Sequence, residues 1–173
     1  RINSSRMTIS NQVINCCDID TLARIGLSFR LDSRFDQLSW YGKGPWETYA
    51  DRKHSALTGC YHSTVKEQHI PFVRPCECGG HEDTRYAHIS DGVHSVQIIG
   101  DQDFHFSALP YSMEEYQTAM YDSDLPDPST GTWLILDSVH AGLGGDTGWF
   151  KNIHPEYRIP SGRYWYEFTF IFH

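Results

Sequence analysis

Apolar and polar residues alternate most regularly from Arg24 to Leu31, RIGLSFRL, where Ile25, Leu27, Phe29 and Leu31 fall on one side of an extended chain. A strand with one face on a core is the expectation. Met7 and Ile9 interleave with Thr8 and Ser10, and Gln12 to Cys17 continues in extended form, so a first hairpin is expected over this stretch. Asp36 to Tyr41 reads as a short strand that ends in a loop at Gly42-Lys43-Gly44-Pro45, because two Gly and a Pro work against regular pairing. WETYADRKHSA mixes rings and charges without a period and reads as an ordered surface loop with room for a helical turn. Gly59 to Val65 and Ile70 to Val73 read as strand pieces. Thr84 to Ile89 and Val93 to Ile99 form a hairpin around Asp91-Gly92. One helix is predicted after Pro110, where Ser112 and Glu115 make a capping box. Thr132 to Val139 and the aromatic run Tyr164 to Phe172 complete the strands, with a glycine-rich loop at Gly142 to Gly148. Many short strands, one short helix and no repeated βα unit point to an all-β sandwich.

Length and composition agree with one domain. The chain has 173 residues, 39% hydrophobic and 14% aromatic, enough for a single well-packed core. Its net charge of -8 and the lack of clustered Lys and Arg exclude a nucleic-acid footprint. No apolar run approaches the ~18 residues of a membrane span, and RINSSRMTIS has no signal-peptide core, so neither nucleic acid nor membrane is an expected partner. An opening at Arg1 without Met suggests a segment of a longer chain whose N-terminal strands are truncated. Five Cys, an odd number, fit poorly with a disulfide framework, and adjacent Cys16 and Cys17 read as packed thiols.

The residues alone nominate little chemistry. There is no HExxH, P-loop or nucleophile elbow, and the glycines of Gly42 to Gly44 and Gly142 to Gly145 lack the context of a phosphate cradle. Cys76-x-Cys78 with His81, joined by His69 or His88, is the sharpest local metal pattern. It supplies one irregular pair where structural zinc uses two, so free loop thiols are favoured and no metal site is assigned. Glycoside hydrolysis needs two carboxylates about 5 to 9 Å apart. Glu47, Asp51, Glu67, Glu77, Glu82, Glu114, Asp137, Asp146 and Glu156 are available, but the sequence nominates no pair. Asp51, Asp137 and Asp146 are candidates for tying loops down, and Asp51 and Arg52 for anchoring their loop with Glu47. Lys53 belongs to the same charged run, and His54 has no partner that would orient it as a base.

Three segments carry a resemblance: WYGKGPWETYADRKHSALTGCYHSTVKEQHIPFVRP (Trp40–Pro75), TWLILDSVHAGLGGDTGW (Thr132–Trp149) and HPEYRIPSGRYWYEFTF (His154–Phe170). Together, and in this order, they resemble the C-terminal domain, or small chain, of the large multidomain β-galactosidases. The resemblance implies a large antiparallel β-sandwich, called a supersandwich, of the galactose-mutarotase type. It also implies that residues 1–173 are one domain of a longer hydrolase acting on terminal β-D-galactosides. The two catalytic glutamates of that family belong to a separate (β/α)8 barrel, so none is expected here and the isolated chain should be inactive. Trp149, in GGDTGW, matches the Trp that the family's terminal domain gives to the galactose pocket as a platform. Expected partners are the galactoside and the barrel domain or large subunit, in a homo- or hetero-oligomeric parent. No cofactor is expected in this domain. Mg2+ and Na+ are left to the parent, the resemblance offering sodium the backbone carbonyls near Val73 to Pro75, and the compartment is open between cytoplasm and periplasm. Two departures stand out: GGDTGW replaces the frequent GGDDSW, and Cys76-Glu77-Cys78-Gly79 stands where QENG is common. The competing readings are an autonomous carbohydrate-binding module and a mainly structural domain that never touches sugar.

Overall fold

The computed structural model describes residues 2–3, 5–16, 18–145 and 152–173. Nine antiparallel strands dominate them: β1 (Ile2–Asn3), β2 (Arg6–Asn15), β3 (Arg24–Leu31), β4 (Gln37–Gly44), β5 (Leu57–Thr64), β6 (Gly80–Ser90), β7 (Ser95–Leu109), β8 (Thr132–His140) and β9 (Gly162–Phe172). Two short helices, α1 (Val65–Gln68) and α2 (Met113–Thr118), are each closed by a capping box, Thr64 with Glu67 and Ser112 with Glu115. No helix among the described residues is long and apolar enough to cross a membrane.

The strand order β1-β2-β9-β7-β6-β4-β5 forms the main layer, and β3-β8 branches from β7. Strand β7 is 15 residues long because it serves both layers. Its first part, Val96 to Gly100, pairs with β9, and its last part, His105 to Leu109, pairs with β8. Register shifts in β6 between His81 and Thr84 and again before Tyr86 bend the ladder where the layers part. The branch folds back over β9: Phe29 meets the Phe170 ring edge-on at 5.4 Å, and the Tyr166 hydroxyl donates to the Gly26 carbonyl at 3.1 Å. The result is the expected all-β sandwich, with Ile98, Phe104, Phe106, Leu136 and Phe168 in the core between its layers.

Several local expectations are corrected. Arg6–Asn15 is one uninterrupted strand along β9, and its hairpin partner is the two-residue β1. Cys16 is exposed, not packed, and Cys17 lies outside the described residues. The segment Gly42 to Gly44 is no loop: β4 runs through it, paired with β5 as far as Gly44. The glycines here permit close approach, since a Cβ on Gly42 would sit 2.9 Å from Thr84 Cα and one on Gly44 2.7 Å from the Tyr61 ring. Ile70 to Val73 lies outside every strand. The segment WETYADRKHSA stays irregular, but it is not a surface loop at its centre, where Thr48 and Tyr49 are fully buried.

Candidate functional site

Loop 45–56 has no hydrophobic period because its job is to bind other backbone. On one side it is stitched to the start of β6. Thr48 N–H donates to Gly80 O at 2.7 Å, Glu82 N–H donates to Thr48 Oγ1 at 2.8 Å, and Gly79 N–H donates to Glu47 Oε2 at 3.0 Å. Glu47 also pairs with Arg52, whose guanidinium lies 5.3 Å over the Tyr49 ring. Lys53 reaches Asp83 at 2.6 Å and Glu82 at 3.8 Å. On the other side Asp51 Oδ2 accepts the Gly144 amide at 2.7 Å. The Gly142 amide donates to Tyr157 O at 2.9 Å. The glycine loop that leaves β8 is therefore fastened by Asp51 and by the segment before β9, which bears out the loop-anchoring roles of Asp51, Arg52 and Glu47. His54 is exposed.

Beneath these loops lies a buried polar node. Arg24, at the start of β3, directs Nη2 to Glu77 Oε2 at 2.6 Å and to His140 Nε2 at 2.8 Å, with its Nε 3.8 Å from Asp137 Oδ2. The rings of His105 and His140 stack at 4.5 Å. His105 Nδ1 meets Glu82 Oε1 at 2.9 Å, and His140 Nδ1 donates to the Ala141 carbonyl at 2.6 Å. Burial pushes the imidazole pKa of His105 down to about 3 and that of His140 to about 4, so both are neutral at pH 7. Burial also pushes the Asp137 carboxyl up to about 7 against the pull of Arg24, and neither of its oxygens has a hydrogen-bond partner among the described residues. Asp137 therefore ties no loop down by hydrogen bonds. A cavity of about 370 Å³ opens in front of the node, lined by Arg24, Arg74, Glu77, Tyr111, Met113 and Tyr116.

The pattern Cys76-x-Cys78 with His81 does not converge. Cys78 is buried with its thiol against the Tyr116 hydroxyl at 3.7 Å, and burial raises its pKa to about 11. Cys76 is exposed. His81 packs against the Trp40 ring at 4.1 Å and shares a 2.6 Å hydrogen bond with Gln68, while His69 sits between Tyr116 and Asp122 at 2.8 Å from each. His88 faces Ser39 and Gln97 across the sheet. Among the described residues, the donors that do converge are Glu77, His105 and His140, whose ligand atoms lie within 4.8 Å of one another. Neither histidine is nominated by a sequence pattern. The available signal is His105 between Phe104 and Phe106 in a strand buried on both faces, where a polar side chain must find partners. Trp149, the sequence candidate for sugar contact, and Asp146 lie outside the described residues.

The fold and this arrangement of loops can be set beside known proteins. The family model described as beta galactosidase small chain matches residues 1–172. The chain belongs to the β-galactosidase small-chain family. Among its relatives, the β-galactosidase of Vibrio cholerae is 34% identical over 165 residues, covering 95% of this chain and 15% of the relative. Beta-galactosidase BgaC of Bifidobacterium adolescentis is 36% identical over 148 residues, 83% of this chain and 14% of that protein. The β-galactosidase of Priestia megaterium is 34% identical over 162 residues, 93% of this chain and 16% of that protein. The small-chain domain thus spans about 15% of the length of the relatives it matches. Of the carbonyls the resemblance offers to sodium, that of Val73 already accepts the Asp122 amide at 3.3 Å.

Proposed function

We propose that this small-chain domain completes the galactoside pocket of a β-galactosidase and packs against the catalytic (β/α)8 barrel or large subunit, which hydrolyses terminal β-D-galactosides. The observation that carries the reading is the Asp51–Gly144 bond, which fastens the first residue of the GGDTGW segment to the loop at 45–56. A fixed point of attachment next to a sugar platform reduces the ordering cost of binding. Trp149 is the platform in this proposal: an indole covers the apolar face of a pyranose, and the adjoining glycines let the ring project. The acid/base and nucleophile glutamates of retaining hydrolysis are supplied by the barrel. Four carboxylates of this domain are otherwise engaged, Glu47 with Arg52, Glu82 with His105, Asp51 with Gly144 and Glu67 in the cap of α1.

The test is hydrolysis of a chromogenic β-galactoside by the purified chain alone and after mixing with a chain that carries the barrel. Inactivity alone with activity on mixing supports the proposal. Turnover by the chain alone overturns it, and galactose affinity without any gain on mixing favours an autonomous binding module.

A further inference from the structure

Glu77, His105 and His140 come from three separate elements, the loop before β6, the last part of β7 and the last residue of β8, and their ligand atoms gather within 4.8 Å. Each imidazole is oriented from behind. His140 donates its Nδ1 proton to the Ala141 carbonyl, and His105 turns Nδ1 to the Glu82 carboxylate, which leaves Nε2 of each ring as the acceptor nitrogen. Carboxylate or carbonyl support behind a histidine is the arrangement that fixes the tautomer of metal ligands. His105 is 2% exposed and its Nε2 has no hydrogen-bond partner among the described residues. Gly80 makes room for it, since a Cβ there would lie 2.7 Å from Nε2. The other two donors, His140 Nε2 and Glu77 Oε2, are both held by one atom, Arg24 Nη2. A cationic group therefore already stands where these ligands point. It also has a second place to go: the Asp137 carboxylate, without hydrogen-bond partners among the described residues, lies 3.8 Å from Arg24 Nε, and the 370 Å³ cavity borders the side chain.

We propose that Glu77, His105 and His140 form a zinc site in which Zn2+ and the Arg24 guanidinium are alternative cations. With metal bound, Glu77 and the two Nε2 atoms supply three ligands and water the fourth, while Arg24 turns onto Asp137. Two neutral imidazoles and one carboxylate suit Zn2+ over the hard cations Mg2+ and Ca2+, which prefer all-oxygen sites. Closing a tetrahedron on bonds of ~2.0 to 2.1 Å needs ligand separations of about 3.3 Å. The His140 Nε2 to Glu77 Oε1 distance of 3.9 Å is within a side-chain adjustment of that value. Occupancy would tie the 75–79 loop to β7 and to the end of β8. Zinc binding of this kind stands apart from the galactoside reading and does not depend on it.

The experiment is titration of the chelator-treated full chain with ZnCl2 by calorimetry, with Co2+ as a spectroscopic probe. The expected result is one equivalent bound, visible Co2+ bands of a four-coordinate N/O site, and a rise in Tm with zinc. His105→Gln, checked for folding by circular dichroism, should weaken zinc binding more than about 100-fold, an effect at least as large as loss of a supporting partner. Arg24→Met should tighten it by removing the competing cation, and Cys76→Ala should change nothing. No binding, binding that survives His105→Gln in a folded protein, or a thiolate-to-cobalt band that disappears in Cys76→Ala would each overturn the proposal. The last two would mark adventitious metal.

Discussion

The sandwich interior and the polar node are both buried, and strand β7 runs through both, yet different physics holds them. Phe104 and Phe106 on β7 pack with Phe168 in a core sustained by apolar area and close packing. His105, between them, enters a cluster in which Arg24, Glu77, Glu82, Asp137 and His140 must account for one another's charges and hydrogen bonds. The first region depends on volume and tolerates replacement by residues of similar size. In the second, removal of one partner leaves another stranded in a medium that cannot solvate it.

The largest expected effect lies in the apolar region. Phe168→Ala, at a ring that is 1% exposed, should lower unfolding free energy by about 3–5 kcal/mol, whereas Phe168→Leu should lose less than half of that. Urea titration followed by circular dichroism would measure both, and equal losses would show that packing volume does not govern the core. The node should behave in the opposite way. Glu77→Ala strands Arg24 and should cost about 2 kcal/mol, reduced from the fully buried case because Glu77 is 28% exposed. Arg24→Met should make the second change nearly free, and additive losses in that double-mutant cycle would argue against a coupled node.

The pH dependence sharpens the contrast. Asp137 has a folded pKa raised to about 7 from an ordinary 3.8, so the folded state binds the extra proton between those values. Its contribution to stability is therefore present below about pH 4 and is lost as pH rises through 7. Buried His105 and His140, lowered to about 3 and 4, act in the reverse sense, with stability present above 6.5 and lost as pH falls through their folded values. In the difference between wild type and Asp137→Asn the histidine contributions cancel. Asp137→Asn should accordingly gain on wild type from pH 4 to pH 7 and stay level above it, as read by urea midpoints at each pH. A constant difference would place Asp137 in solvent-like surroundings. The smallest effect belongs to a helix end at the rim of the cavity in front of the node. Ser112→Ala should cost about 1 kcal/mol through the cap of α2, and less if the helix is held by Tyr116 packing alone.

The same contrast separates what is legible in the sequence from what is not. Strand β3 carries a period-two pattern and α2 a capping box, both local signals, and each element forms where its signal lies. Gly42 and Gly44 mislead because a glycine that breaks a strand and one that admits Thr84 or Tyr61 look alike until the neighbouring chain is present. The burial of Tyr49 is hidden for a similar reason: the groups that cover it, around Gly80, His105 and His140, lie far along the chain. The convergence of Glu77, His105 and His140 is a product of topology, with β8 pairing to the far half of β7. The three segments Trp40–Pro75, Thr132–Trp149 and His154–Phe170 point to the small-chain family by themselves, because long ordered motifs report ancestry where short patterns do not.

If this domain presents Trp149 to the sugar, Asp51 is the residue that fastens the segment leading to it at Gly144. The direct measurement is KM for a chromogenic β-galactoside of the enzyme reconstituted from this chain and a barrel-bearing chain, wild type against Asp51→Asn. Weakening the charge-assisted bond to the Gly144 amide, worth about 1.5 kcal/mol, should raise KM roughly tenfold while the thermal unfolding of the isolated domain changes little. An unchanged KM would contradict that role and make the Asp51 anchor a stability device without a part in the galactoside pocket.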